Sequence, residues 1–431
     1  MQPGRISPTP LTTAPIYSRI SVLATACPWH LITAEDIAFC WRERAGSVWF
    51  ALGKHAEFDT PTQLQTAVRR VQSLDSDLMP RGFGIVAFDP ARPPREPWRD
   101  FSVRNFILPE CLVRWQDGKA TVLALSTSHD ELAQTIRRVT TSMSHPAHAL
   151  THSQELTDER ETFSREAWRR AIEMAHRLMQ HGDLQKIVLA RQTALDFFGE
   201  PNPASVLEAL AEETHASTVF AYRQRNAGVF LGATPERLFT LNRRHVTVDS
   251  LAGTRPRGTG EAEDNRFAED LAGSEKDLLE QQFVTDHVVL QLQSLCDDVI
   301  IESAPRIRKL EAVQHLATIV EGTARDGTTL DQILFALHPT PATCGSPIAI
   351  ARDLIAEWEP QPRGLYAGTI GWVGAQQAEF VVAIRAGLIR RDKARLFAGA
   401  GIVRASDADN EYDECEWKML PLRRAILNQR R

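Results

Sequence analysis

The sequence predicts an α+β protein: large antiparallel β-sheets packed together and flanked by helices. Three observations predict it. Short apolar runs closed by turn signals fill the first 140 residues, the later strands and helices come in blocks without regular βαβ alternation, and no internal repeat or low-complexity tract is present. A chain of 431 residues that is 43% hydrophobic and 24% charged can bury a sizeable core.

The elements follow in order. "GSVWFALG", "GFGIVAFDP" and "CLVRWQDGKATVLAL" read as strands, with Asp117-Gly118 as a hairpin turn. Residues 1–150 are therefore a mostly-β region, expected to join residues 160–431 in one compact unit. The stretch 141–163 is polar and reads as a linker or exposed loop. Its His145, His148 and His152 have no carboxylate or cysteine at helical spacing beside them, so they are not read as a metal site. From Ser164, an N-cap, "REAWRRAIEMAHRLMQH" is helical and ends at Gly182. A strand starts at "KIVLARQ", and "STVFAY", "GVFLGA", "RLFTL" and "HVTVDSLAG" continue as a meander. One long helix is predicted over "NRFAEDLAGSEKDLLEQQFVTDHVVLQLQSLC". Strands at "LYAGTIGWVG", "EFVVAIRAGLI" and "RLFAGAGIV" precede a C-terminal helix from about Asp409.

The formal charge of −6 and the absence of a Lys/Arg-rich block exclude a phosphate-tracking surface, so nucleic acid is not an expected partner. The six cysteines show no CxxC spacing and read as reduced thiols. No cationic and then apolar leader opens the chain, and no apolar run reaches the roughly eighteen residues a membrane span needs. A cytoplasmic protein with no membrane partner is expected.

Several residues carry potential chemistry. Lys186 opens an apolar strand, where a charge is costly unless it reaches solvent, is paired or is used. Asp277 and Glu280 share a helix face at i, i+3, as do Glu411, Glu414 and Lys418 at i, i+3, i+7. Either set alone is an ordinary solvated face, but together, with the glycine-rich "AGAG" at 398–401, they suit a hard cation such as Mg²⁺. Glu236, in the break between two strands, is either a turn residue or a carboxyl projecting into a cleft, where burial would let it hold a proton. The loops "LAGTRPRG" and "HPTPATCGSP" are shaped by Gly and Pro to approach a ligand. Cys344, in the second, reads as packing.

These segments, with "SEKDLLEQQFV", "RKLEAVQHLAT", "RGLYAGTIGWVG" and "AGAGIVRASDADNEYDECEWK" in the same order, resemble the chorismate-utilising enzymes from about residue 165 to the end, and more weakly before it. Within that family, lysine at 186 and alanine at 252 resemble the members that use water as nucleophile, isochorismate and salicylate synthases; "HPTPA" and "RGLYAG" favour the former. The resemblance implies Lys186 as a base kept neutral by burial and Glu236 as the acid. It implies Mg²⁺ on Glu280 and Glu414, with Asp277 and Glu411 close behind. Tyr366 and Arg385 would bind the enolpyruvyl carboxylate; Gly253, Ala342, Thr343, Gly399 and Gly401 would line the substrate, His315 would line the ring pocket, and Lys418 would balance the carboxylates or reach the substrate. The implied protein is an isomerase, a monomer with no glutaminase partner. Gln281 and Thr343 depart from the usual family residues, a histidine and an aliphatic, at positions expected to touch or neighbour the site. The rival readings are a salicylate synthase and a catalytically silent binding relative.

Overall fold

The computed structural model describes residues 16–23, 26–71, 79–144, 155–310 and 313–428. Among these, the strands form two antiparallel sheets, of twelve and ten strands. Central strands such as Val48–Leu52 and Gly82–Val86 are buried at every position, because both faces of the sheet are covered; that is why they read as unbroken apolar runs rather than alternating ones. The early and late parts of the chain share both sheets. Ile37–Arg42 pairs with Thr218–Gln224 in the first, and Gly82–Val86 with Thr369–Val373 in the second. The Asp117-Gly118 hairpin is present, with φ of 50° and 74° at the two turn residues.

Two predicted elements need correction. The stretch 141–163 is not a continuous linker: 141–144 finish the helix His129–Ser144, and Glu155–Glu161 pairs along the strand Lys186–Phe198. This strand lies at the sheet margin with most side chains exposed, so it carries no apolar signal. His145, His148 and His152 lie outside the described residues. The predicted long helix is two helices, Glu261–Gly273 and Glu275–Leu295. Ser274 separates them in an extended conformation and caps the second by accepting from the Asp277 amide.

The chain changes sheet at two places that matter for the site. Gly228–Thr234 belongs to the first sheet and Arg237–Asn242 to the second, which leaves Glu236 at the crossing. The strand predicted over "EFVVAIRAGLI" also needs correction: it is two, Gln377–Val382 and Ala386–Arg390, between which the chain returns to the first sheet and leaves Arg385 at that crossing. The crossings hold each other: Val382 N–H donates to the Glu236 carbonyl at 3.0 Å and Ala233 N–H to that of Arg385 at 3.2 Å. The helix Glu275–Leu295 packs on His245–Pro256 in the second sheet, and Ala408–Leu427 on Lys393–Ile402 in the first. No described helix is long and apolar enough to cross a membrane.

Candidate active site

A cleft enclosing about 750 Å³, solvent-open space included, lies where the two sheets meet. It is lined by Glu236, Glu280, Glu414, Gly253, His315, Ala342, Thr343, Tyr366, Arg385, Gly399, Gly401 and Lys418, all predicted. Lys186, Asp277 and Glu411 stand behind its wall rather than on it.

Lys186 is wholly buried, and its Nζ lies 3.0 Å from Glu280 Oε1 in an ion pair. It does not snorkel to solvent. Gly401 makes room for this pair: a Cβ there would come within 2.4 Å of Glu280 Oε1 and 3.1 Å of Lys186 Cε. Glu414 is paired with Lys418 at 2.5 Å, one helical turn on, and Lys418 also donates to the Gly399 carbonyl at 2.9 Å. Burial alone would raise Glu414, but Lys418 draws its carboxyl below the usual range. Glu411 bonds Lys276 at 2.5 Å, yet burial and the neighbouring Glu414 push it up to about 7. Asp277 pairs with Arg255 at 2.9 Å.

The other wall is different. Glu236 is 7% exposed and, among the described residues, forms no ion pair. Burial pushes its carboxyl up to about 7, against the pull of Lys186 and Lys418. Its backbone is anchored: Arg44 donates to the Pro235 carbonyl at 2.7 Å, and Arg44, Arg237 and Arg308 converge on the buried Asp249. His315 Nδ1 lies 2.9 Å from the Gly253 carbonyl, and burial pushes the imidazole down to about 3. The ring is therefore neutral, with Nδ1–H donating and Nε2, which has no partner among the described residues, left as an acceptor. Arg385 takes a left-handed backbone, φ 52°, which aims it into the cleft. Burial lowers its guanidinium, with Glu414 opposing. Tyr366 stacks on Phe397, and its hydroxyl lies 3.3 Å from where a Gly399 Cβ would stand.

Sequence reasoning missed a buried pair. Arg363 and Glu359 meet at 2.5 Å; Arg363 donates to the carbonyls of Thr343 at 2.6 Å and Val188 at 2.7 Å, and Glu359 accepts from the Ala190 amide at 2.8 Å. The pair ties the 338–347 loop to the Lys186 strand. Its only signal was the i, i+4 spacing in "EPQPR", masked by two prolines. Gln281 neighbours the cleft without lining it: next in the chain to Glu280, it is 1% exposed and donates to the Ser250 carbonyl at 3.0 Å and to Thr318 Oγ1 at 3.1 Å. Thr343 does line it.

Among the described residues no three histidine, cysteine or carboxylate side chains converge as a full metal cage. Glu280 and Glu414 do open onto one cleft, and both are hard oxygen donors now balanced by lysines. Two carboxylates suit an Mg²⁺ that takes its remaining ligands from water and substrate, so the donor set fits.

A cleft that holds a protonatable carboxyl, an arginine and two lysine-paired carboxylates, with a buried amine just behind its wall, suits acid–base chemistry on a small anion. Comparison with known proteins gives its family. Residues 39–427 match the family described as "Chorismate binding enzyme", and the chain belongs to it. The chain is 35% identical over 81% of its length to the isochorismate synthase MenF of Bacillus subtilis (strain 168), spanning 75% of that protein. It is 31% identical over 89% of its length to the isochorismate synthase MenF of Escherichia coli (strain K12), spanning 86% of it. The solved structure of MenF, described as the menaquinone-specific isochorismate synthase from E. coli, superposes with a TM-score of 0.79 at 28% identity, covering 96% of this chain and 95% of that one.

Proposed function

We propose that this protein is an isochorismate synthase, converting chorismate reversibly to isochorismate. The observation that carries this reading is the placing of Lys186 within electrostatic reach of Glu236, with Ala252 in the cleft wall where an amine-using relative would carry a lysine. Water attacks C2 as Lys186, once it has given up its proton and its ion pair with Glu280, accepts a proton from that water. The ring double bonds shift, the C4–O bond breaks, and Glu236 gives its proton to the departing hydroxyl, which leaves as water. One water enters and one leaves, so the reaction is an isomerisation. In reverse the two groups exchange roles, Glu236 taking a proton and Lys186 giving one.

Glu280 and Glu414 would hold Mg²⁺, with Asp277 and Glu411 behind them; when bound it supplies positive charge to the ring carboxylate. Arg385 and Tyr366 hold the enolpyruvyl carboxylate, Arg385 as a planar fork. His315, neutral, offers Nε2 to a ring hydroxyl. Gly253, Gly399 and Gly401 let the backbone approach the ring.

The test is to incubate the purified protein with chorismate and Mg²⁺ and identify products by NMR. The reading expects isochorismate in equilibrium with chorismate, and a reversible stop on chelation. Salicylate with pyruvate would assign the protein to the lyase rival instead, and no turnover would favour a silent binding relative.

A further inference from the structure

Arg363 lines two cavities, the catalytic cleft and a larger one behind it. The second encloses about 1270 Å³, solvent-open space included, between the 87–103 loop and the helix Ile348–Trp358 with the turn that follows it. Its floor is aromatic: Phe88, Trp98 and Phe101. Trp98 is fixed by Nε1 donating to the Pro362 carbonyl at 3.0 Å, and by Gly364, where a Cβ would come within 2.2 Å of the indole.

The mouth carries surplus positive charge. Arg92, Arg95 and Arg352 line it. Arg92 is held by Asp89 and Asp353, each at 3.0 Å, but among the described residues Arg95 and Arg352 have no ion pair. The carboxylates that line the cavity, Asp89 and Glu359, are already committed to Arg92 and Arg363. Aromatic walls accept a flat ring, and free guanidinium forks bind a carboxylate.

We propose that this cavity is a second binding site, for small aromatic carboxylates, and that its occupancy is felt at the catalytic cleft through Arg363. The route is short. Arg363 lies over the Phe88 ring, 4.4 Å from its centroid, while its other contacts hold the Thr343 carbonyl in the cleft wall and the Val188 carbonyl two residues from Lys186. A ligand bearing on Phe88 therefore acts on a side chain that bridges the cleft loop and the Lys186 strand.

Calorimetry on the full chain tests binding without relying on the reaction, using benzoate as probe and benzyl alcohol as the uncharged control. Benzoate should bind at a single site, benzyl alcohol roughly ten- to a hundredfold more weakly, and the double variant Arg95→Ala/Arg352→Ala at the cavity mouth should lose benzoate by a similar factor. Turnover of chorismate by that variant without benzoate should be unchanged. In the unaltered protein benzoate should change kcat at saturating chorismate, and in the double variant it should not. No benzoate binding, equal binding by the double variant, inhibition that chorismate competes away, or an unmoved kcat would each overturn the proposal; the product test above stands or falls separately.

Discussion

The two walls of the catalytic cleft bury carboxyl groups in opposite ways. At the helical wall and just behind it four carboxylates each meet a cation: Glu280 with Lys186, Glu414 with Lys418, Glu411 with Lys276, Asp277 with Arg255. On the wall where the chain changes sheet, Glu236 is buried without an ion pair among the described residues, and its carboxyl is pushed up to about 7. Desolvation disfavours charge, and a contacting cation restores it. One wall is thus suited to hold a cation's ligands, the other to hold a proton. Glu411 shows that a partner is not always enough, since a second carboxylate beside it pushes it up as well.

This contrast can be broken from either side. Lys186→Ala should give the largest effect, removing the base and leaving Glu280 unpaired; kcat on chorismate should fall about 10²- to 10⁴-fold while circular dichroism stays native. Arg363→Met strands the buried Glu359 carboxylate and should cost about 3–5 kcal/mol in denaturant unfolding. Gly401→Ala drives a methyl into Glu280 and Lys186 and should lower kcat/KM about 10²-fold with little loss of stability. Glu236→Gln should be catalytically impaired yet stabilised by about 3 kcal/mol at pH 8. The sign follows from a folded pKa raised from 4.5 to about 7: the folded state binds the proton more tightly, so this contribution is full below the unfolded value and is lost as pH rises through 7. At pH 4 the two proteins should be equally stable. Gln281→Ala, at a position away from the cleft, should cost only about 1–3 kcal/mol of stability and leave kcat nearly unchanged.

The sequence was most readable where spacing or turn chemistry reports geometry directly. Ser164 and Gly182 bound their helix as expected, and Asp117-Gly118 turned the hairpin. The family motifs also located nearly all of the cleft, and Glu236 sits at a strand break visible as an interruption in an apolar run; the break at Arg385 was hidden inside "EFVVAIRAGLI", which reads as one strand. What stayed hidden depends on long-range contact. Nothing in "SEKDLLEQQF" says that Gln281 turns toward Ser250 and Thr318 while Glu280, one residue earlier, faces the cleft. The break at Ser274 was masked because helical periodicity continues on both sides. Lys186 was correctly singled out as a charge in a core, but its partner Glu280 lies almost a hundred residues away, a distance no local pattern spans.

The most direct test is a titration of the Glu236 carboxyl, followed by ¹³C NMR on protein labelled at glutamate side-chain carboxyls and assigned by difference against Glu236→Gln. A midpoint near 7 is the result this account predicts. A midpoint near the ordinary 4.5 would mean the group is ionised at neutral pH, with no proton to give the leaving hydroxyl.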